Sequence, residues 1–316
     1  MDGHDDLVRL IAERSGRPAS TALHALADAV RARHGAAVRA VIVYGSCYRT
    51  GDDRGIVDLY VLVDSYRRFY GRRAAALANR VLPPNVFSLR IDGPDQPWRA
   101  KYAVLSLADL KRGTSARAFH SYFWGRLAQP VGLLYASDAR VAAAVHAALA
   151  DAVRTFLARV VPLVHGRIDA STLWRRGLAL SYAAELRAER RESVERLYDF
   201  DAPYYEAITR AVLTNPPWGL DCIGDAGTAR YDNRPALVRR LVARGAWVLR
   251  CAAGKGLSVL RLCKGLFTFD GAVDYVRWKI ERHSGVRLEL SPRARRHVLV
   301  AGWVVAWRLY RRGGFR

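Results

Sequence analysis

Residues 44–63 read YGSCYRTGDDRGIVDLYVLV. A Gly-Ser pair closes one apolar run, and a single carboxylate, Asp58, sits inside the next. These residue types suit phosphate chemistry. Gly45 has no Cβ, so backbone can approach a polyphosphate closely. The Ser46 hydroxyl and neighbouring amides can bind phosphate oxygens. Asp58 offers the hard oxygen that Mg²⁺ prefers. The metal would neutralise charge on the reacting phosphorus and on a departing pyrophosphate. A second acid two residues on would strengthen such a site, but Tyr60 stands there. The plain alternative for Asp58 is an edge-strand aspartate facing solvent.

The elements that must position these residues follow from hydrophobic periodicity. Helices are predicted at about 5–15 and 20–34, with Ser20 as an N-cap for the second. Strands are predicted at 38–44, 56–63, 86–91 and 99–106, the first two dense in Val and Ile. A helix at about 66–79 separates the second strand from the third, and Pro83-Pro84 breaks it. Beyond 107, helical periodicity dominates, at about 115–127, 137–164, 172–193, 203–213, 234–251, 256–263 and 271–283. The expected architecture is α/β plus α. A mixed sheet with flanking helices fills residues 1–110, a mostly helical domain fills 111–285, and a basic, apolar tail fills 286–316.

Charge is unevenly placed. The net charge is +22, and residues 230–316 hold 20 Lys or Arg against 5 Asp or Glu. Only five of the 51 basic residues are lysines, so a bias toward arginine is present. That bias does not explain the few acids in the last quarter. The block implies a polyanionic partner, either nucleic acid or an anionic membrane surface. Cys47, Cys222, Cys251 and Cys263 lack zinc-ligand spacing and read as reduced thiols of a cytoplasmic protein. The N-terminus lacks an apolar signal core. The longest uninterrupted apolar run, Val298–Trp307, would span about 15 Å as a helix, too short to cross a bilayer.

The strand–Gly-Ser–loop–acid-strand order resembles nucleotidyltransferases of the polymerase-β type. More specifically, several segments resemble the mitochondrial-type phosphatidate cytidylyltransferases, the soluble CDP-diacylglycerol synthases. The matching segments are YGS at Tyr44–Ser46, VDLYVLV at Val57–Val63 and KYAVLS at Lys101–Ser106. Further along come YFWGRLAQPV at Tyr122–Val131, LSYAAELR at Leu180–Arg187 and KGLFTFDGAVDYVRWKIERHSG at Lys264–Gly285. The chain departs from that family in YRRFYGRRAAALANR after the acid strand, in Cys47, and in Glu185 for an aspartate. It resembles a divergent, bacterial member.

The resemblance implies Mg²⁺-dependent transfer of a cytidylyl group from CTP to phosphatidate, releasing pyrophosphate. It implies that Gly45 and Ser46 cradle the CTP phosphates and that Asp58 holds the metal. A second metal ligand would come from strand three or its turn, although Asp92 and Asp95 read as a plain DGPD turn. Lys101, inward between apolar neighbours, needs an anion to offset its desolvation, and a phosphate is the expected one. Arg126 could clamp a phosphate bidentately; the alternative is a helix-end cap or an ion pair. Glu185 and Arg187 could order the nucleotide pocket, with an internal salt bridge as the equal alternative. Tyr182 could stack or pack, and His120 reads as structural.

The basic region gives the membrane expectation. Val238, Leu241, Val242, Val248 and Leu249 share one face of a predicted helix, with Arg239, Arg240, Arg244 and Arg250 on the other side. Such a helix suits peripheral binding to an anionic interface on the inner face of the cell membrane. Lys255, Lys264 and Lys279 could reach lipid phosphates. The alternative is a core-facing helix with a solvated basic back. Two rival functions remain open at this level. One is a nucleotidyltransferase acting on RNA, protein or a small molecule. The other is a basic nucleic-acid binder without catalysis, supported by the charge block, although no recognised binding motif accompanies it.

Overall fold

The computed structural model describes residues 3–186, 191–224 and 229–268. Two helices, α1 (Gly3–Ser15) and α2 (Thr21–His34), precede β1 (Val38–Tyr44), α3 (Ser46–Thr50) and β2 (Ile56–Val63). Then come α4 (Tyr66–Tyr70), α5 (Arg73–Val81) and the hairpin β3 (Asn85–Ile91) and β4 (Trp98–Ser106). α6 (Leu107–Thr114), α7 (Trp124–Leu127), β5 (Gly132–Ala136) and α8 (Ala139–Val160) follow. The remainder is β6 (Gly166–Asp169), α9 (Ala170–Ala183), α10 (Arg191–Glu195), α11 (Ala202–Leu213), β7 (Cys222–Ile223), β8 (Arg230–Asn233) and α12 (Leu237–Thr268).

Five strands form one mixed sheet in the order β3-β4-β2-β1-β5, with β2 and β4 parallel and the other pairs antiparallel. Residues alternate between its faces, as a period of two requires. Ile42, Tyr60, Leu62, Ala103 and Leu105 face a core built with α1, α6, α7, α8, α9 and α11. Val41, Val43, Leu59, Val61, Tyr102 and Val104 face α2 and α4 through Leu26, Val30, Tyr66 and Phe69. Both faces are covered, so β2 carries long apolar runs. The stretch Ala139–Leu163 is long and apolar enough to cross a membrane by composition, yet 56% of its apolar 18-residue window is buried inside the protein. It serves as the central core helix, packed on α1, α6, α7 and α9.

The α/β-plus-α reading corresponds to this mixed architecture, with several corrections. The sheet does not end at residue 110: β5, five residues long after Pro130, pairs with β1. A second, small sheet, β6-β8-β7, lies in the part read as helical. One core runs from Ile42 and Tyr60 through Trp124, Phe156 and Trp174 to Trp247, so the sheet and the helices pack together. The predicted helix 66–79 is two, because Gly71 takes a left-handed φ of 62° and ends α4. The helix predicted at 115–127 is present only as its last turn, α7, while α6 lies wholly before it, with the Ser106 side chain capping the Asp109 amide. Helices predicted separately at 234–251 and 256–263 are one 32-residue helix, α12. The predicted helix 271–283, the 286–316 tail, Arg187 and Lys279 lie outside the described residues.

Candidate active site

The chemistry-bearing end of β1 meets β2 at Asp58, which pairs in register with Tyr44. Gly45 follows with φ 91°, in the region that favours glycine. A Cβ there would lie 3.0 Å from Asp58 Oδ2. Two independent demands, dihedral and space, therefore fall on this one position. Ser46 opens the short α3 and is exposed, while Cys47 turns inward. Burial, and after it the Asp58 charge, pushes the Cys47 thiol above its ordinary value, so it packs as a neutral group. Tyr48 anchors α3: its hydroxyl accepts from Arg14 at 2.7 Å, and Arg14 in turn pairs with Asp201 at 2.5 Å.

Asp58 is not an edge aspartate. β2 is the central strand, and parallel pairing with β4 sets Asp58 beside Lys101. Lys101 Nζ lies 2.8 Å from Asp58 Oδ1, with the two side chains 35% and 26% exposed. Lys101 thus finds its anion inside the protein, and the pair stays open to solvent at the mouth of the sheet. Oδ2, the other oxygen, lies toward the Gly45 turn. Among the described residues no three His, Cys, Asp or Glu side chains gather to hold a metal. The lone Asp58 carboxylate could supply one hard oxygen to a magnesium ion, whose remaining ligands would have to come from a bound molecule and water.

Two residues past Asp58, on the same face, Tyr60 is fully buried and stacks on Tyr44 with ring centroids 5.0 Å apart. The Tyr60 hydroxyl has no hydrogen-bond partner among the described residues. Burial raises its pKa, with Tyr44, Tyr122, Arg126 and Glu185 all acting on it. Above it Arg126 grips Glu185 through two nitrogens, Nε to Oε1 at 3.1 Å and a second, shorter contact, in side chains only 14% and 10% exposed. Burial works against the Arg126 charge, yet Glu185 holds the guanidinium well above its usual range. Of the alternatives read from sequence, Arg126 is therefore the ion pair, and its fork is engaged by Glu185 rather than held out to a phosphate. Arg126 also lies 3.9 Å from the centre of the Tyr122 ring, and Arg261 of α12 lies 3.8 Å from it.

α12 reaches this cluster by a close crossing. A Cβ at Gly254 would fall 2.3 Å from the Ala184 carbonyl, beside Glu185, so a side chain there would push the helix away. Lys264 Nζ donates to the Leu82 and Pro84 carbonyls, and Arg261 Nε donates to Pro83 at 3.0 Å. Lys264 consequently belongs to the site's edge. Arg239, Arg240 and Arg244 do not join it, since the twenty residues from Arg244 to Lys264 span about 30 Å of helix. Arg239 instead lies 5.1 Å from the Trp218 ring.

The predicted apolar face of α12 does not face the core. Val238, Leu241, Val242, Val248 and Leu249 are exposed, as are Leu237, Val259 and Leu260. The helix rests on the body through Trp247, Arg250 and Gly254 instead. Arg250, read as part of the solvated basic side, is buried: its Nε donates to Phe119 at 2.7 Å, between the Phe119 and Trp247 rings. Burial pushes its pKa down to about 10.

Asp95 lines a separate cleft of about 410 Å³ with Asp53, Arg54, Pro94, Gln96 and Trp98, at the end of the sheet where β4 begins. His120 is near Arg261 and Arg250, and burial lowers its pKa, in keeping with a structural part. Sequence reasoning missed Tyr44, Tyr60, Tyr122 and Arg261. Only Tyr60 had a usable signal: period two puts it on the same face as Asp58. No protein-family model matches this chain, and no curated protein matches it.

Proposed function

We propose that this chain is a nucleotidyltransferase of the phosphatidate cytidylyltransferase kind, working at a membrane surface. The observation that carries the reading is the contact of the Gly45 turn with Asp58, itself paired to Lys101 on the adjacent parallel strand. A turn without a Cβ, an exposed hydroxyl, a carboxylate and an ammonium converge where a triphosphate would lie.

The reaction joins CTP and phosphatidate. An oxygen of the lipid phosphate forms a new bond to the α-phosphorus of CTP. The bond from that phosphorus to the α–β bridging oxygen breaks, and its electron pair leaves with pyrophosphate. A phosphate dianion already carries the attacking electrons, so no side chain need remove a proton. Gly45 and Ser46 admit and bind the triphosphate. Lys101 holds Asp58 in place and adds positive charge beside the reacting phosphate. Asp58 Oδ2, on the turn side, is the oxygen available to a metal. Magnesium, when bound, would neutralise charge on the leaving pyrophosphate. Tyr44 and Tyr60 form the apolar floor that keeps water from the buried side of the site.

Membrane contact is the second half of the proposal. The exposed Leu and Val row of α12 stands in a stretch, 233–268, with eight Lys or Arg and no Asp or Glu. Each basic residue near an anionic surface is worth roughly 1 kcal/mol, and the apolar row adds shallow burial. That combination favours peripheral binding on the cytoplasmic face of the cell membrane over nucleic acid, which offers nothing to an apolar row. The test is pyrophosphate release from each of the four NTPs, with and without phosphatidate vesicles. Release with CTP that requires phosphatidate supports the reading. Release with any NTP in the absence of lipid would give the chain a different acceptor.

A further inference from the structure

We infer that the membrane-facing surface is built from two helices, α5 as well as α12, and that α5 lays Leu77 and Val81 on an anionic bilayer among exposed arginines. The inference rests on the membrane contact proposed above and not on cytidylyl transfer.

α5 is seated the reverse way from an ordinary surface helix, which turns its apolar side inward. Its buried anchor is polar. Asn79 Nδ2 donates to the Val104 carbonyl at 2.9 Å, and Asn79 Oδ1 accepts from the Asn85 backbone amide. Leu77 and Val81 lie two residues to either side of Asn79, about 160° round the helix from it. They are accordingly 62% and 74% exposed. Arg73, Leu77 and Val81 recur every four residues and so form one outward stripe, with Arg80 beside it. α12 shows the same reversal: Arg250 is buried and its Leu and Val row is exposed. Exposed apolar rows on both elements mark an interaction surface.

The two rows meet. Lys264 Nζ donates to the Leu82 and Pro84 carbonyls, and Arg261 Nε donates to Pro83 at 3.0 Å. Val81 immediately precedes that turn. Leu260, 55% exposed, lies one turn before Lys264 on the same side of α12. The α12 row therefore continues onto α5 across this junction.

Charge selects the occupant. Residues 65–91 contain no Asp or Glu and six arginines: Arg67, Arg68, Arg72, Arg73, Arg80 and Arg90. All six are exposed, and none is held by a carboxylate among the described residues. An anionic bilayer offers both halves of what such a face needs, negative headgroups for the arginines and an apolar layer for the row between them. Nucleic acid offers only the first. Residues 269–316 hold eleven Lys or Arg against four Asp or Glu, so they would bring like charge to like charge. A second copy of this face would do the same.

The test uses the full chain with phosphatidylcholine vesicles, with and without phosphatidylglycerol. That lipid supplies negative charge without the phosphomonoester of phosphatidate, so binding does not draw on the candidate active site. Hydrogen exchange of wild type should slow both at 73–82 and along α12 when anionic vesicles are added. Slowing confined to α12 would overturn the inference and leave the membrane reading standing. No binding to either vesicle would overturn both. Protection at 73–82 that is equal with and without vesicles would mean that the protein itself covers this face, and would overturn the inference.

Variants sharpen the result. Leu77→Ser combined with Val81→Ser should melt like wild type, because both side chains already stand in solvent. It should lower partitioning into anionic vesicles at least about tenfold. Arg73→Glu combined with Arg80→Glu should do the same in low salt, and the difference should shrink in high salt. Wild-type partitioning by a folded serine pair would overturn the inference. Sensitivity to the arginines alone, with release from vesicles by single-stranded RNA, would give the face to nucleic acid instead.

Discussion

Two acid–base pairs lie on the same side of one sheet, and they differ in almost everything but residue chemistry. Asp58–Lys101 is a single contact of 2.8 Å at the mouth of the sheet, open to solvent and bordered by a glycine turn. Arg126–Glu185 is a two-point grip, nearly closed to solvent and roofed by the Tyr122 ring. An open pair can exchange its partner for a ligand at little cost. A closed pair has lost its water and is held only by its partner, so it fixes structure. The lesson is that exposure and geometry, more than residue type, separate a pair open to a ligand from a pair that supports the fold.

Breaking the closed pair should have the largest effect. Glu185→Ala leaves the Arg126 guanidinium buried without its carboxylate, which costs about 3–5 kcal/mol. Chemical denaturation should show a lower midpoint for this variant, and a stability within about 0.5 kcal/mol of wild type would erase the distinction. Asp58→Asn should do the opposite. The isosteric change at an open position should leave the melting curve close to wild type. Turnover should drop at least about a hundredfold, the scale of a lost electrostatic stabiliser. A folded Asp58→Asn protein with normal turnover would remove Asp58 from the chemistry.

Lys101→Ala tests the other half of the open pair. It should lower kcat/KM for CTP by roughly tenfold or more, with a smaller stability loss than Glu185→Ala. If stability falls and activity per folded molecule does not, Lys101 is structural after all. Charge reversal at Arg239, Arg240 and Arg244 should release the protein from phosphatidate vesicles in low salt. Soluble CTP binding should survive, because these residues lie far along α12 from the site. High salt should mimic the release as screening shortens below about 10 Å.

The smallest expected effect belongs to Lys264. Its folded pKa of about 8 lies below the ordinary lysine value, so burial of the charged form opposes folding at neutral pH. From about pH 8 upward the folded state releases this proton before the unfolded chain does. Stability attributable to Lys264 therefore rises through that window. Comparing thermal melts of wild type and Lys264→Gln from pH 7 to 10 isolates the contribution. An unchanged difference across that range would contradict the lowered pKa.

Much of this comparison could be read from the sequence on one side only. β1 and β2 lie at the predicted residues because their Val and Ile runs leave little choice. The Gly45–Asp58 spacing also survives, since a short helix and loop between antiparallel neighbours must bring their ends together. The partner of Lys101 was not legible, because it depends on the parallel register of β2 with β4, a long-range fact. β5 is too short, and too weak in pattern after Pro130, to stand out among helices. The periodicity of α12 was clear, but amphipathicity alone does not say which face meets the body. Close approach at Gly254 and the Trp247 and Arg250 anchors decide that, and they turn the apolar row outward.

The most direct test follows the label. CTP carrying ³²P at the α position is incubated with the full chain, Mg²⁺ and vesicles with or without phosphatidate, and the lipid is extracted. The expected result is α-label in the organic phase only when phosphatidate is present, with unlabelled pyrophosphate released alongside it. Alpha-label that stays in water-soluble nucleotide under every lipid condition, with folded protein bound to the vesicles, would contradict cytidylyl transfer to a lipid phosphate.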